Sequence, residues 1–206
     1  MSTERTPFDH AAAVQMVRKA IQETVEVKQS LAEEAADTIA QAAACLVECF
    51  DRGGKVLLFG NGGSATDAQH IASELVVRLR RNRQALPAMA LGVSASDVTA
   101  IANDWSFDQV FARLVEAHGE EGDVAIAITT SGNSANMIAA VEQARRSGLF
   151  IIALTGKGGG KIADRVDVEI RVPSDDTARI QESHITVGHL LCQFVEDTLF
   201  PEDEPR

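Results

Sequence analysis

The chain has 206 residues, enough for one α/β domain with a full core and too few for two. Its 45% hydrophobic and 24% charged residues are those of an ordinary globular protein. A net charge of −11 excludes a general nucleic-acid or anionic-membrane binder, since both need a basic face.

The charge still allows an anionic small molecule, because backbone N–H groups and helix N-termini hold phosphate without many cations. No apolar run approaches the roughly 18 residues of a membrane span, and the N-terminus carries no apolar signal segment, so the expected compartment is the cytoplasm. An odd cysteine count (Cys45, Cys49, Cys192) fits a reducing environment, and Cys45 and Cys49 read as small buried hydrophobes.

In chain order, residues 1–53 read as helix. A shorter amphipathic segment spans Ala11–Val25. A second helix, N-capped by Ser30, places Leu31, Ala35, Ile39, Ala42, Leu46 and Phe50 on one stripe and stops at Gly53-Gly54. Two helices before the first strand exceed what a doubly wound sheet needs, and another subunit is expected to cover their apolar stripes. Strand-length apolar runs follow at Val56–Phe59, Ala88–Leu91, Val124–Thr129, Phe150–Leu154 and Val166–Val172. Helical stretches separate them at Ala65–Leu79, Val98–Glu116 (broken near Asp104), Ser134–Ser147 and Lys161–Asp164, and a long helix closes the chain over Ala178–Leu199. This alternation predicts right-handed βαβ crossovers and a five-stranded parallel sheet flanked by helices. The expected organisation is a single domain over 1–206, with a core at 54–200 and a frayed acidic tail at 201–206.

Ligands of open parallel sheets bind outside the carboxyl ends of the strands, where two suspicious loops fall. Gly60-x-Gly62-x-x-Ala65 formally matches a dinucleotide fingerprint, but the next strand ends Ala90-Leu91-Gly92 without the acid that would take the ribose hydroxyls. Thr129-Thr130-Ser131-Gly132-Asn133-Ser134 offers more hydroxyls than one N-cap needs, which favours anion binding. Gly156-Lys157-Gly158-Gly159-Gly160-Lys161 has the wrong spacing for a P-loop and is expected to be a mobile loop. His70 and Glu74 lie one helical turn apart, rotated by only about 40°, and Gln181 and His189 lie two turns apart on a later helix. If the fold brings these helices together, the four side chains form both a metal shell and an acid–base pair; a solvated ion pair is the plainer alternative. His184 faces away from Gln181 and His189 and reads as structural. His10, His118 and the arginines Arg78, Arg80, Arg81 and Arg83 read as surface.

Taken together, the chain resembles the SIS (sugar isomerase) domain proteins, and most closely the phosphoheptose isomerases. The resemblance is carried by Gly60–Ser64 with Asp67-Ala68-Gln69-His70 and Glu74, by Ala88–Leu91, and by Thr99-Ala100-Ile101 with Asn103-Asp104. Thr130–Ser134, Leu154-Thr155-Gly156, Val172-Pro173-Ser174, Asp176–Glu182 and Gly188-His189 complete it. It implies a flavodoxin-like three-layer sandwich and interconversion of sedoheptulose 7-phosphate with glycero-manno-heptose 7-phosphate, the entry step to the heptoses of bacterial surface polysaccharide. It implies one zinc held by His70, Glu74, Gln181 and His189. Substrate contacts are implied from Asn61, Gly62, Gly63, Glu74, Asn103, Asp104, Thr129, Thr130, Ser131, Ser134 and Gln181. A homotetramer with active sites shared between subunits is implied as well. Aldose–ketose isomerisation needs a base near the reacting C–H and an acid or metal at the oxygens, and Glu74 and His189 supply a carboxylate and an imidazole.

Thr129 stands where the family usually has Ser, Gly92 where it has a hydroxyl residue, and Trp105 where tyrosine is common. The alternatives are an isomerase of another phosphosugar, or a non-catalytic SIS relative that regulates replication initiation. Such relatives lack acid–base residues at the positions of Glu74 and His189.

Overall fold

The computed structural model describes residues 8–201. Five strands, β1 (Val56–Gly60), β2 (Ala88–Ala90), β3 (Val124–Ile128), β4 (Phe150–Thr155) and β5 (Val168–Arg171), form one parallel sheet in the order β2-β1-β3-β4-β5. Six α-helices accompany them: α1 (His10–Asp51), α2 (Gly63–Val76), α3 (Ala95–Asp104), α4 (Val110–His118), α5 (Ala135–Arg146) and α6 (Thr177–Leu199). Every residue of β1 and β3 is buried, as expected of parallel strands covered on both faces. The pleat sends alternate residues to opposite layers. Val56, Leu58, Ile126, Ile152 and Ile170 meet α1, α2 and α6, while Leu57, Phe59, Ala125, Ala127 and Ile151 meet α4 and α5.

The two leading helices expected from the sequence are one continuous helix of 42 residues. Ser30 sits in its interior, and the N-cap is Asp9, whose carboxylate accepts from Ala12 N at 3.1 Å. Glu26, Lys28 and Gln29 are good helix formers, so the capping preference of one serine has no break to act on. The C-terminal half of α1 buries Leu31, Ala35, Ile39, Ala42 and Leu46 as expected, whereas Met16, Val17, Ile21 and Val25 in the first half stay exposed. Of the acidic tail, only Pro201 lies within the described residues.

The glycine-rich stretch after β4 is also firmer than expected. It forms a 3-10 helix over Gly160–Arg165, with Lys161 N donating to Asn133 Oδ1 and Ile162 N to Gly132 O. A β-carbon on Gly132, which holds φ +63°, would fall 1.8 Å from the carbonyl oxygen of Gly159. Glycine at 132 thus permits both the left-handed turn and direct backbone-on-backbone packing.

Candidate active site

The strand order reverses between β1 and β3, and their outgoing loops open the crevice where such sheets bind ligands. The Asn61 and Asn136 side chains close it with a reciprocal amide pair, Nδ2 to Oδ1 at 2.9 and 2.8 Å. Asn61, expected as a substrate contact, ties the first loop to α5 through this pair. Asn136, only 2% exposed, was missed because its position reads as an ordinary first turn.

In the second loop, Thr129 is buried and its hydroxyl accepts Gly132 N at 3.2 Å, while Ser131 Oγ accepts Asn133 N at 3.3 Å. Ser134 is the N-cap residue of α5, yet its hydroxyl makes no capping bond. It is therefore free to meet a ligand at the helix N-terminus.

The other half of the site lies between α2 and α6, which run side by side in parallel. The Gln181 amide packs on Gly63, Gly188 on Ile71, and Glu196 bonds residues 79–81. That register sets His70 against His189. Their Nε2 atoms are 3.0 Å apart and the rings meet edge to face at 72°. Glu74 Oε1 lies 3.4 Å from His70 Nε2, as the one-turn spacing predicted. The donor atoms of His70, Glu74 and His189 all fall within 4.8 Å of one another. Gln181, the fourth expected ligand, lies on the same side of α6 with its amide packed on Gly63 of α2.

Asn103 and Asp104 are exposed at the end of α3 and bond to each other at 3.0 Å, not to either loop. Trp105 beside them is exposed and stacks under Arg113 at 4.8 Å. Asp67, one turn before His70, has an oxygen buried without a partner among the described residues. Burial raises its pKa, and His70 pulls it the other way. His184 is structural as expected, fully buried with Nε2–H donating to Thr155 O at 3.0 Å. Arg83 is not on the surface: its side chain is 1% exposed and paired with Glu196.

The SIS domain family model matches residues 21–156. The phosphoheptose isomerase of Thermodesulfovibrio yellowstonii is 50% identical over 184 residues, 89% of this chain and 92% of that protein. The phosphoheptose isomerase of a Roseiflexus species is 53% identical over 182 residues, 88% of this chain and 92% of that protein. The chain belongs to the SIS domain family, among its phosphoheptose isomerases.

Solved structures agree. The phosphoheptose isomerase of Neisseria gonorrhoeae superposes with TM-score 0.86 at 42% identity, covering 90% of this chain and 99% of that one. That of Francisella tularensis gives 0.87 at 39%, covering 90% and 98%. The chain is thus a sugar-phosphate isomerase, and the crevice and the histidine pair are the places to look for its chemistry.

Proposed function

We propose that this SIS domain protein interconverts sedoheptulose 7-phosphate and D-glycero-D-manno-heptose 7-phosphate, with Glu74 and His189 as the acid–base pair. The observation that carries the reading is the convergence of one carboxylate and two imidazoles from α2 and α6 within 4.8 Å, in a chain about half identical to phosphoheptose isomerases. A proton leaves the carbon beside the carbonyl and is taken by one member of the pair. The bonding electrons form the enediol double bond as the carbonyl oxygen gains a proton. Return of a proton to the former carbonyl carbon, with loss of the hydroxyl proton from the carbon first deprotonated, gives the isomer. Electrons balance within the sugar, so no redox cofactor enters.

The phosphate is assigned to the Thr129–Ser134 loop and the N-terminus of α5, where Ser134 is free of capping. The N–H groups of Gly62 and Gly63, at the N-terminus of α2, are assigned to sugar oxygens. Asn103, Asp104, Thr130 and Gln181 are assigned to the sugar's remaining contacts.

The donor set fits zinc: two imidazole nitrogens and a carboxylate leave open coordination positions. His70, Glu74 and His189 would hold the ion, with Gln181 as a fourth ligand, one ion per chain. Bound there, zinc would supply positive charge near the reacting oxygens.

Exposure of Met16, Val17, Ile21 and Val25 on α1 supports burial against further copies. We assign a homotetramer with shared sites, acting in the cytoplasm. No helix among the described residues is long and apolar enough to cross a membrane.

Incubation with sedoheptulose 7-phosphate should yield the aldose, seen by NMR, with solvent deuterium entering at the reacting carbon. Absence of both aldose and exchange refutes this reading.

A further inference from the structure

Arg83 and Glu196 are charged residues that lie outside the catalytic group and are almost wholly buried, with side chains 1% and 2% exposed. Their bonding is complete and directional. Glu196 accepts from Arg80 N and Arg81 N at 2.8 and 2.7 Å, and from Leu79 N and Arg83 Nε at 3.1 Å each. Burial alone would raise the Glu196 pKa, but the N–H groups of Arg81, Arg80 and Leu79 and the Arg83 guanidinium outweigh it and hold the carboxyl below its usual range.

The rest of the guanidinium faces α2. Nη2 donates to the carbonyl of Glu74 at 2.8 Å, and Nη1 donates to the carbonyls of Leu75 and Gln84, each at 2.8 Å. Glu74 and Leu75 lie in the last turn of α2, where carbonyls lack helical partners, so Arg83 caps the helix at the residue bearing the active carboxylate. Glu196 sits seven residues, about two turns, after His189 on α6.

We propose that the Arg83–Glu196 pair is a positioning device that fixes the register of α2 against α6, and so the placement of Glu74 and His70 relative to His189. The proposal deepens the acid–base assignment above and rests on it. Apolar packing sets how close two helices come, but it tolerates sliding and rotation. Charged bonds from α6 through one rigid planar fork to the Glu74 carbonyl do not. A catalytic constellation tolerates errors of only about 0.5 Å, which makes such a link functional as well as structural.

The test is Arg83→Lys, which keeps the charge but loses the planar fork. It is assayed well below its melting temperature for kcat and KM, for Co2+ affinity of the metal-stripped protein by visible absorption, and for the NMR signals of the His70 and His189 ring Cε1–H groups. We expect kcat to fall at least about tenfold with KM within about threefold, since the phosphate loop is untouched. Co2+ affinity should fall about tenfold, the range found for supporting residues of metal sites, and both ring signals should move. A lowered melting temperature with kcat, Co2+ affinity and ring signals all as in the unaltered protein overturns the proposal and leaves the pair as structural. Should Arg83→Lys not fold, Glu196→Asp, which keeps the charge and withdraws it by one methylene, carries the same test. An unaltered protein that neither isomerises phosphosugar nor binds Co2+ refutes the functional reading instead. The ring signals then still decide whether the pair sets the register.

Discussion

Gly188 of α6 rests directly on Ile71 of α2, and a β-carbon at position 188 would lie 2.5 Å from Ile71 Cδ1 and 2.6 Å from its Cγ1. Ile71 is 1% exposed and cannot swing aside. His70 and His189 are the chain neighbours of these two residues, so the same close approach brings their Nε2 atoms to 3.0 Å. Glycine costs about 1 kcal/mol against alanine in a helix interior, which marks this position as one where contact outweighs propensity. Gly188→Ala should destabilise by up to about 2 kcal/mol, the overpacking cost less the helix gain, lowering Tm by at most several degrees. Its effect on kcat should be larger, at least tenfold, because the helices can yield only by parting at the histidines. Parallel thermal melts and steady-state kinetics check this, and unchanged kcat would show that the approach distance does not matter.

The Asn61–Asn136 amide pair is the corresponding device at the crevice. Truncation by Asn136→Ala leaves the Asn61 amide unpaired and should cost about 1–3 kcal/mol. A double-mutant cycle with Asn61→Ala should return a coupling of about 0.5–3 kcal/mol, since the two residues share two bonds. Chemical denaturation of the four proteins measures it. Strict additivity would mean that the pair does not hold the loops together.

Ser131 and Ser134 give a prediction specific to phosphate. Alanine at both should raise KM for the phosphorylated sugar about tenfold or more while changing melting little, because the Ser134 hydroxyl makes no capping bond and Ser131 gives up only a long, exposed bond from Asn133 N. Equal losses for phosphorylated and free sugar would make the loop structural only.

Much of this was legible in the sequence, and the reasons differ by element. Buried strands such as Val56–Gly60 and Val124–Ile128 announce themselves as short apolar runs, and their alternation with helices dictates a parallel sheet. His70 and Glu74 are one turn apart in any helix, so their convergence needs no tertiary knowledge. The meeting of His70 with His189 does need it, and there the family resemblance did what periodicity could not. Ser30 misled because a cap-forming residue signals a boundary only where its neighbours also stop, and they do not. Arg83 misled because charged residues are surface residues unless fully paired, and its partner Glu196, more than a hundred positions away, is invisible locally. The Gly156–Gly160 loop was read as mobile because glycines permit many conformations, but here they permit close backbone docking on Gly132.

His184 predicts an acid sensitivity. Its Nε2–H is donated to the Thr155 carbonyl, and Nδ1 is buried without a partner among the described residues, so a second proton would find no acceptor. Burial lowers the pKa to about 4, against the bond to Thr155, which raises it. The unfolded chain, with an ordinary value near 6.5, binds more protons than the folded one between those limits. Stability from this group is therefore whole above about pH 6.5 and is lost as pH falls toward 4, by up to about 3 kcal/mol. His184→Asn should flatten the pH dependence of Tm in this window. Persistence of the full slope would place the sensitivity elsewhere.

The last prediction concerns the metal, which separates metal-assisted isomerisation from a bare acid–base pair. Two imidazole nitrogens 3.0 Å apart, with a carboxylate oxygen 3.4 Å from one of them, leave two readings for the group. Either one ring donates to the other, or both nitrogens would turn their lone pairs to a bound cation. A tetrahedral zinc with bonds of about 2.0–2.1 Å to nitrogen would favour the rings slightly farther apart, which exposed side chains on helix surfaces can accommodate. Elemental analysis of the purified protein should give about one zinc per chain, with activity falling on chelation and returning when zinc is restored. His70→Ala with His189→Ala should abolish retention without unfolding the sheet, since both side chains are exposed in the single chain and outside the core. Glu74→Gln should lower kcat by about 10² to 10⁴ while the fold is kept, because the amide can neither take the proton nor carry the negative charge. A protein that is metal-free as purified, resists zinc loading and isomerises at full rate would assign the histidine–histidine contact to a hydrogen bond. Glu74 and His189 would then act as a bare acid and base.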